Sequence, residues 1–276
     1  MYRSETIVKL IDIWDRYRLG IGRSRAYVPT PTFRTPSEWT TPVRTIALET
    51  TEVSGSLAAF DNHELLAEIA LDPDGRSAQT LAPGLVRLWQ TVGWRPTAVE
   101  LVAVAVGPGS FTGLRVGVTT AKLLAYAAGA EVLGVDTLEV IANRAPAEVM
   151  AVSAAVDAQR EQVVVGEFRR DASGVLIPTG PDELLGVDTW LDRVAAGTWI
   201  TGPALRKWAQ RVPEPLHSRT LDPTYWSATA AAVGLLAIRQ YSAGRRDDLW
   251  KLLPRYSRRA AAEEKWEVKQ RIKNGG

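Results

Sequence analysis

"VAVAVGPGSFTGLRVGVTTAKLLAYAAG", residues 102–129, joins an apolar run to a loop with three glycines and then to a long apolar helical pattern. Residues 99–106 have no polar side chain after Glu100, as expected of a strand buried on both faces. Gly107, Gly109 and Gly113 permit positive φ and a close backbone approach. Ser110 or Thr112 is placed to cap a helix that begins near Gly113. Free N–H groups and the helix dipole make that position a candidate anion site, and Arg115 in the first turn adds a charged fork. A nucleotide or phosphate loop would therefore use Gly107, Gly109, Ser110, Thr112, Gly113 and Arg115. The same residues serve equally well as a tight strand-to-helix turn with a cap and no ligand. Glycines and caps alone do not decide between the two.

Outward from this stretch, the pattern repeats. Residues 45–48, 54–60 and 65–71 read as three strands joined by tight turns. Residues 77–92 place Leu81, Leu85, Leu88, Trp89 and Val92 at helical spacing. A strand over 130–136 and a helix from Thr137 follow the glycine loop and its helix. The order β-β-β-α-β-α-β-α is that of a ribonuclease-H-like mixed sheet. The second half opens the same way, with strands over 149–156, 162–170 and 175–180. A helix near 185–195, a short strand over 198–202, a helix from Ala204 and a long helix over 227–241 complete it. The expected fold is α/β and duplicated, with mixed sheets and helices, as in the actin, Hsp70 and sugar-kinase ATPases. In that superfamily the ligand cleft lies between the halves. The expected lobes are residues 43–146, which carry the glycine loop, and 147–258.

Residues 1–42 differ from the rest. Ile7, Leu10, Ile11 and Trp14 have the spacing of one short amphipathic helix, and the Arg-, Pro- and Thr-rich stretch after it has no period. A flexible extension is one expectation. A start at Val43, read from a non-ATG codon, is the other, because the packed pattern begins there. Residues 259–276 form a basic tail that reads either as a solvated end or as a segment approaching nucleic acid.

Composition removes several function classes. Among 276 residues, 33 Lys and Arg against 31 Asp and Glu leave no bulk charge to hold nucleic acid or membrane. The absence of cysteine excludes thiolate zinc sites, disulfides and cysteine nucleophiles, and fits the cytoplasm. No run has the length of a membrane span. A P-loop ends in Gly-Lys-Ser/Thr, whereas this loop ends in Gly113, Leu114 and Arg115. The Gly-x-Ser-x-Gly elbow is also missing. The two histidines, His63 and His217, lie in different halves, so a His-x-x-x-His metal site is impossible. No catalytic residue and no metal ligand is assigned.

The helix after the loop is apolar on more than one face, with Leu114, Val118, Ala121 and Ala125 on one stripe and Val116, Leu123 and Leu124 elsewhere. Such a helix must be covered on more than one face. Together with the Trp89 helix it forms either a two-helix docking surface or an interior covered by the second half. The expected interface, or its support, is Leu81, Leu85, Trp89, Leu114, Val118 and Lys122, and a Trp89→Asp change is expected to weaken pairing.

The residues 103–142, with "GPGSFTGLR" as their most specific run, closely resemble the signature block of the TsaB family, also called YeaZ. "RTIALETT", "RSAQTLAPGLVRLW", "VDAQREQVVVGEF" and "LLPRYSRRAAAEEKW" extend the resemblance over residues 44–266. The resemblance implies the actin-like ATPase fold and a non-catalytic subunit in forming N6-threonylcarbamoyladenosine at position 37 of tRNAs reading ANN codons. It implies pairing with a paralogous, metal-containing transferase subunit of the TsaD type and association with a small ATPase of the TsaE type. tRNA is then reached through the complex, a homodimer is the alternative pairing, and ATP or ADP would lie at the shared interface with no cofactor of the chain's own. Departures are the Glu49 that stands where the superfamily places an Asp, and "VDAQRE" around Asp157 and Arg160, which hairpin-turn chemistry also explains. The competing reading is an active small-molecule kinase or ATPase of the same superfamily, using Glu49, Asp136 and Asp157.

Overall fold

The computed structural model describes residues 43–72 and 77–256. The readings of residues 1–42 and 259–276 lie outside these. β1 (Arg44–Glu49), β2 (Ser56–Asp61) and β3 (Glu64–Ala70) form an antiparallel meander. β4 (Leu101–Gly107) runs parallel to β1, and β5 (Glu131–Asp136) parallel to β4. The crossovers are α1 (Ser77–Val92) and α2 (Phe111–Ala128), and α3 (Thr137–Ala142) follows β5. The sheet order is β3-β2-β1-β4-β5, with all seven residues of β4 buried, as its unbroken apolar run requires.

The second sheet contains β6 (Ala151–Asp157), β7 (Gln162–Arg170), β8 (Leu176–Pro178), β9 (Glu183–Gly186) and β10 (Trp199–Thr201). Its order is β10-β6-β7-β8, with β9 also on β7. Counted from the first strand of each half, and leaving out β9, the sheets read 3-2-1-4-5 and 3-2-1-4, so the duplication is real. A short bridge takes the place of the fifth strand. Thr220 pairs in parallel with Ile200, Ile200 N donates to Arg219 O (2.8 Å), and Leu221 N donates to Ile200 O (3.0 Å).

Two expectations change. The helix expected over 185–195 starts only at Val187, as α4 (Val187–Arg193), because Leu185 and Gly186 belong to β9. β7 is nine residues long and β8 pairs only with Phe168–Arg170, so β9 takes the edge of β7 that remains, from Gln162 to Val165. After the one-turn helices α5 (Leu205–Trp208) and α6 (Glu214–His217) comes α7 (Ala230–Ser242). α7 starts three residues later than expected because Thr229 caps it, accepting from Ala232 N. It also crosses back to the first lobe and packs on β1, β2, β4 and β5. The boundary drawn at residue 146 therefore does not keep the second half to one sheet.

The reason is coverage. α3 has six residues and cannot shield the inner face of a five-stranded sheet. α7 completes the cover, and one apolar cluster runs from Phe60 and Leu133 through Leu138, Ile141 and Leu236 to Val152 and Phe168. The outer face of the first sheet carries α1 and α2, with Leu81, Leu85, Leu88, Trp89, Val118 and Ala125 beneath them. α4 and α5 cover the outer face of the second sheet around Trp190 and Leu205. No helix among the described residues is long and apolar enough to cross a membrane.

α7 approaches β2 through Gly234, where an added Cβ would lie 2.2 Å from Phe60 Cε2. Phe60 is fully buried and cannot yield. Gly234→Ala should cost about 1–3 kcal/mol by overpacking, while Leu235→Ala at an exposed neighbouring position should stay within about 0.5 kcal/mol. Urea unfolding midpoints of the two variants check this.

Candidate functional site around the glycine loop

The turn after β1 shapes the loop. Ser110 N donates to Thr51 O (2.8 Å), and the Ser110 hydroxyl accepts from Gly113 N (3.3 Å). Ser110 is thus the cap of α2, and the exposed Thr112 is not. Thr50 Oγ1 donates to Gly113 O (2.9 Å). A Cβ at Gly113 would lie 1.9 Å from Thr50 O, and one at Gly117 would lie 2.2 Å from Thr50 Oγ1. One at Gly109 would lie 2.6 Å from Thr51 Cβ. Gly107, at φ +119°, leaves room for the carbonyl of Arg255, which an added Cβ would approach to 2.3 Å. At these four glycines the close approach of neighbouring atoms leaves no room for a Cβ.

Arg115 is also committed. Its Nε donates to Tyr256 Oη (2.9 Å), and its guanidinium lies 4.0 Å from the Phe111 ring centroid. Phe111 and Tyr256 stack at 4.8 Å. In this structure the loop residues build a tight turn against residues 50–51 and a docking place for residues 255–256.

The three candidate acids are held apart in three environments. Glu49 is completely buried, and one carboxyl oxygen accepts from Thr51 N (2.6 Å) and from the Thr51 hydroxyl. Its other oxygen has no partner among the described residues. Burial pushes its pKa up to about 8, against the lowering by Thr51, so it is neutral near pH 7. Asp136 caps α3, accepting from Leu138 N (2.8 Å) and Glu139 N (3.1 Å), and its other oxygen accepts from Arg255. Burial, and then the Asp182 carboxylate, raise it to about 6. Asp157 ends β6 and accepts from Lys207 Nζ and Trp208 Nε1, both at 3.2 Å. The turn after it runs through Gln159, Arg160 and Glu161, all at positive φ, which is the hairpin chemistry the sequence offered. Among the described residues no three acidic or histidine side chains converge on a metal position.

Of the residues expected to line an interface or to support it, Leu81, Leu85, Trp89, Leu114 and Val118 are buried in this chain and can act only as support. Leu81, Leu85, Trp89 and Val118 share one apolar cluster with the sheet, and Leu249 and Leu252 pack against it. α1 shows solvent a polar row that includes Gln79, Arg87, Gln90 and Thr91. Lys122 is half-buried, its Nζ donating to the carbonyls of Trp250 and Leu252, both at 3.1 Å. Further along α2 and on residues 250–253, exposed large apolar side chains are Leu123, Tyr126 (50% exposed), Trp250 (72%) and Leu253 (68%), with Tyr126 and Trp250 edge to face at 5.8 Å. Others stand elsewhere, among them Val53, Leu65 and Met150. Sequence periodicity marked Leu123 as lying off the main stripe. It carried no sign that Trp250 would come to lie beside Tyr126, more than 120 residues away in the chain.

Residues 74–183 match the family described as "TsaD: tRNA N6-adenosine threonylcarbamoyltransferase". The tRNA threonylcarbamoyladenosine biosynthesis protein TsaB of Escherichia coli (strain K12) is 30% identical over 171 residues, which cover 60% of this chain and 74% of that protein. The protein of the same description from Bacillus subtilis (strain 168) is 26% identical over 147 residues, 53% of this chain and 64% of that one. Among solved structures, YeaZ from Pseudomonas aeruginosa superposes with a TM-score of 0.67 at 26% identity, covering 78% of this chain and 99% of its own.

Two predictions follow the geometry of this turn. The folded pKa of Glu49, about 8, lies above its ordinary value of 4.5, so its protonation stabilises the fold fully below 4.5. That contribution is lost as the pH rises to about 8. Glu49→Gln should therefore gain on the wild type by up to roughly 1.4 kcal/mol per pH unit across the window. Urea titrations from acid to mildly alkaline pH test this, and a difference independent of pH would refute it. Trp89→Asp, at 4% exposure, should unfold the first lobe and not merely weaken an interface, as circular dichroism of the isolated chain would reveal.

Proposed function

The chain belongs to the TsaB (YeaZ) family, and from that premise we propose that it takes part in tRNA N6-threonylcarbamoyladenosine biosynthesis as a binding subunit with no turnover of its own. Its partner is a paralogous threonylcarbamoyltransferase subunit of the TsaD type, and a small ATPase subunit of the TsaE type joins the pair. tRNA is met through the complex, in the cytoplasm, for a modification at position 37 of tRNAs reading ANN codons. The observation that carries the pairing is the exposed apolar row of Leu123, Tyr126, Trp250 and Leu253 on α2 and the segment beside it. A row of large apolar side chains, two of them aromatic, is the kind of surface that partner chains cover. Without the partner, the same row brings two copies of this chain together.

The fates of the acids favour this reading over a kinase or ATPase. Glu49 is neutral and locked to Thr51, Asp136 is spent on α3 and Arg255, and Asp157 is spent on Lys207 and Trp208. A metal–phosphate centre would need charged carboxylates with free lone pairs facing one point. ATP or ADP enters this proposal only at the surface shared with the partner, because Arg115 is engaged by Tyr256 and Phe111 within this chain.

Trp250→Asp and Tyr126→Asp each place a charge in the exposed row without touching the core. Either should reduce co-purification with the transferase subunit at least tenfold while the melting temperature of the isolated chain stays within a few degrees. Pairing that survives the double substitution would overturn this interface. Magnesium-dependent ATP hydrolysis by the isolated chain, lost in Glu49→Gln, would promote the kinase or ATPase reading in its place.

A further inference from the structure

After α7 the chain runs without helix or strand from residue 245 to residue 256. Its first part is an anchor on β5, the edge strand of the first sheet. Gly134 N donates to Asp247 Oδ2 (2.8 Å), and Arg245 donates to Gly134 O (2.6 Å). Arg246 pairs with Glu131 at 2.8 Å. These bonds cover an edge that would otherwise be open to another strand. Leu249 and Leu252 then drop into the outer apolar cluster, and Lys122 holds the carbonyls of Trp250 and Leu252.

The last residues are held differently. Arg255 N donates to Val106 O (2.7 Å), at the end of β4. The Arg255 side chain bridges Asp136, at the end of β5, and Asp182, just before β9 in the second lobe (2.9 Å to Asp182). One guanidinium thus ties the two sheets together. Tyr256 lies on Phe111 and takes the hydrogen bond of Arg115. Behind this contact is a cavity of about 230 Å³, walled by Pro108 from the glycine loop, Val164 and Leu184 from the second lobe, and Asp182, Arg255 and Tyr256.

We propose that residues 253–256 are a releasable latch between the lobes, which lifts from the glycine loop while residues 245–252 stay anchored. The contrast between the two parts supports this. The anchor buries leucines and satisfies the backbone of an edge strand. The tip is held by one backbone bond, from Arg255 N to Val106 O, by one partly exposed aromatic contact, and by ion pairs of a side chain that is 57% exposed, with Asp136 and Asp182 at 15% and 18%. Ion pairs with an exposed partner are screened by salt, and a segment held by one backbone bond opens more readily than the sheet beneath it unfolds. Opening it frees Arg115 and Phe111 from Tyr256 and removes two walls of the cavity, Arg255 and Tyr256. It does not separate the lobes elsewhere, because the Arg206–Glu52 pair and the apolar cluster shared by both sheets remain.

Hydrogen–deuterium exchange of the full chain tests the latch with Arg255→Met and Asp182→Asn. The second variant keeps Asp136 as the cap of α3. Each should raise exchange at least tenfold at residue 255 and in the loop of residues 109–115, with β4 and β5 unchanged. In the wild type, 0.5 M sodium chloride should act in the same direction, and in Arg255→Met it should add little. Unchanged protection in both variants would overturn the latch. So would a parallel loss of protection throughout β4 and β5, because that would make Arg255 a general structural brace.

Discussion

The first lobe depends on how closely α2 approaches the turn after β1. Thr50 occupies the space that side chains at Gly113 and Gly117 would need, and its hydroxyl donates to the Gly113 carbonyl. That contact sets the depth at which α2 lies over β1 and β4. It also brings Ser110 to the helix start as the cap and leaves Gly107 beside Arg255. The run of glycines that suggests a ligand loop is therefore explained by backbone packing. Close-packed interiors tolerate no spare atoms at such a crossing.

From this crossing, coverage explains the remaining architecture. The first sheet has two apolar faces. α1 and α2 close one, while α3 is too short to close the other. The chain therefore forms its second sheet and returns with α7 to finish the first. The two halves share a core because each lacks an element the other supplies. The second sheet has four strands in the common order and a two-bond bridge where the fifth would be.

The same logic separates interior from surface on α2. Its stripe of Leu114, Val118, Ala121 and Ala125 is satisfied inside the chain. Its exposed apolar side chains lie further on, at Leu123 and Tyr126, where Trp250 extends them. A subunit that works by pairing would keep its core greasy for stability and reserve a separate patch for its partner. Three acids fasten local structure: Glu49 holds a turn, Asp136 caps α3 and accepts from Arg255, and Asp157 accepts from Lys207 and Trp208.

Local pattern in the sequence was enough to determine the strands of the first lobe, the crossover helices, the duplication, the Ser110 position as a candidate cap and the family resemblance. These depend on periodicity and neighbouring residues, which a chain carries in one dimension. Only the tertiary structure decided that the Leu81, Leu85 and Trp89 face is interior, that Glu49 is buried and neutral, and that Arg115 is spent on Tyr256. It alone decided that α7 belongs against the first sheet and that Arg255 joins the lobes. The physical reason is separation along the chain. Arg115 and Tyr256 meet across 141 positions, and Arg255 and Asp136 across 119. Burial and charge pairing at such distances depend on how completed elements stack, which no local spacing encodes.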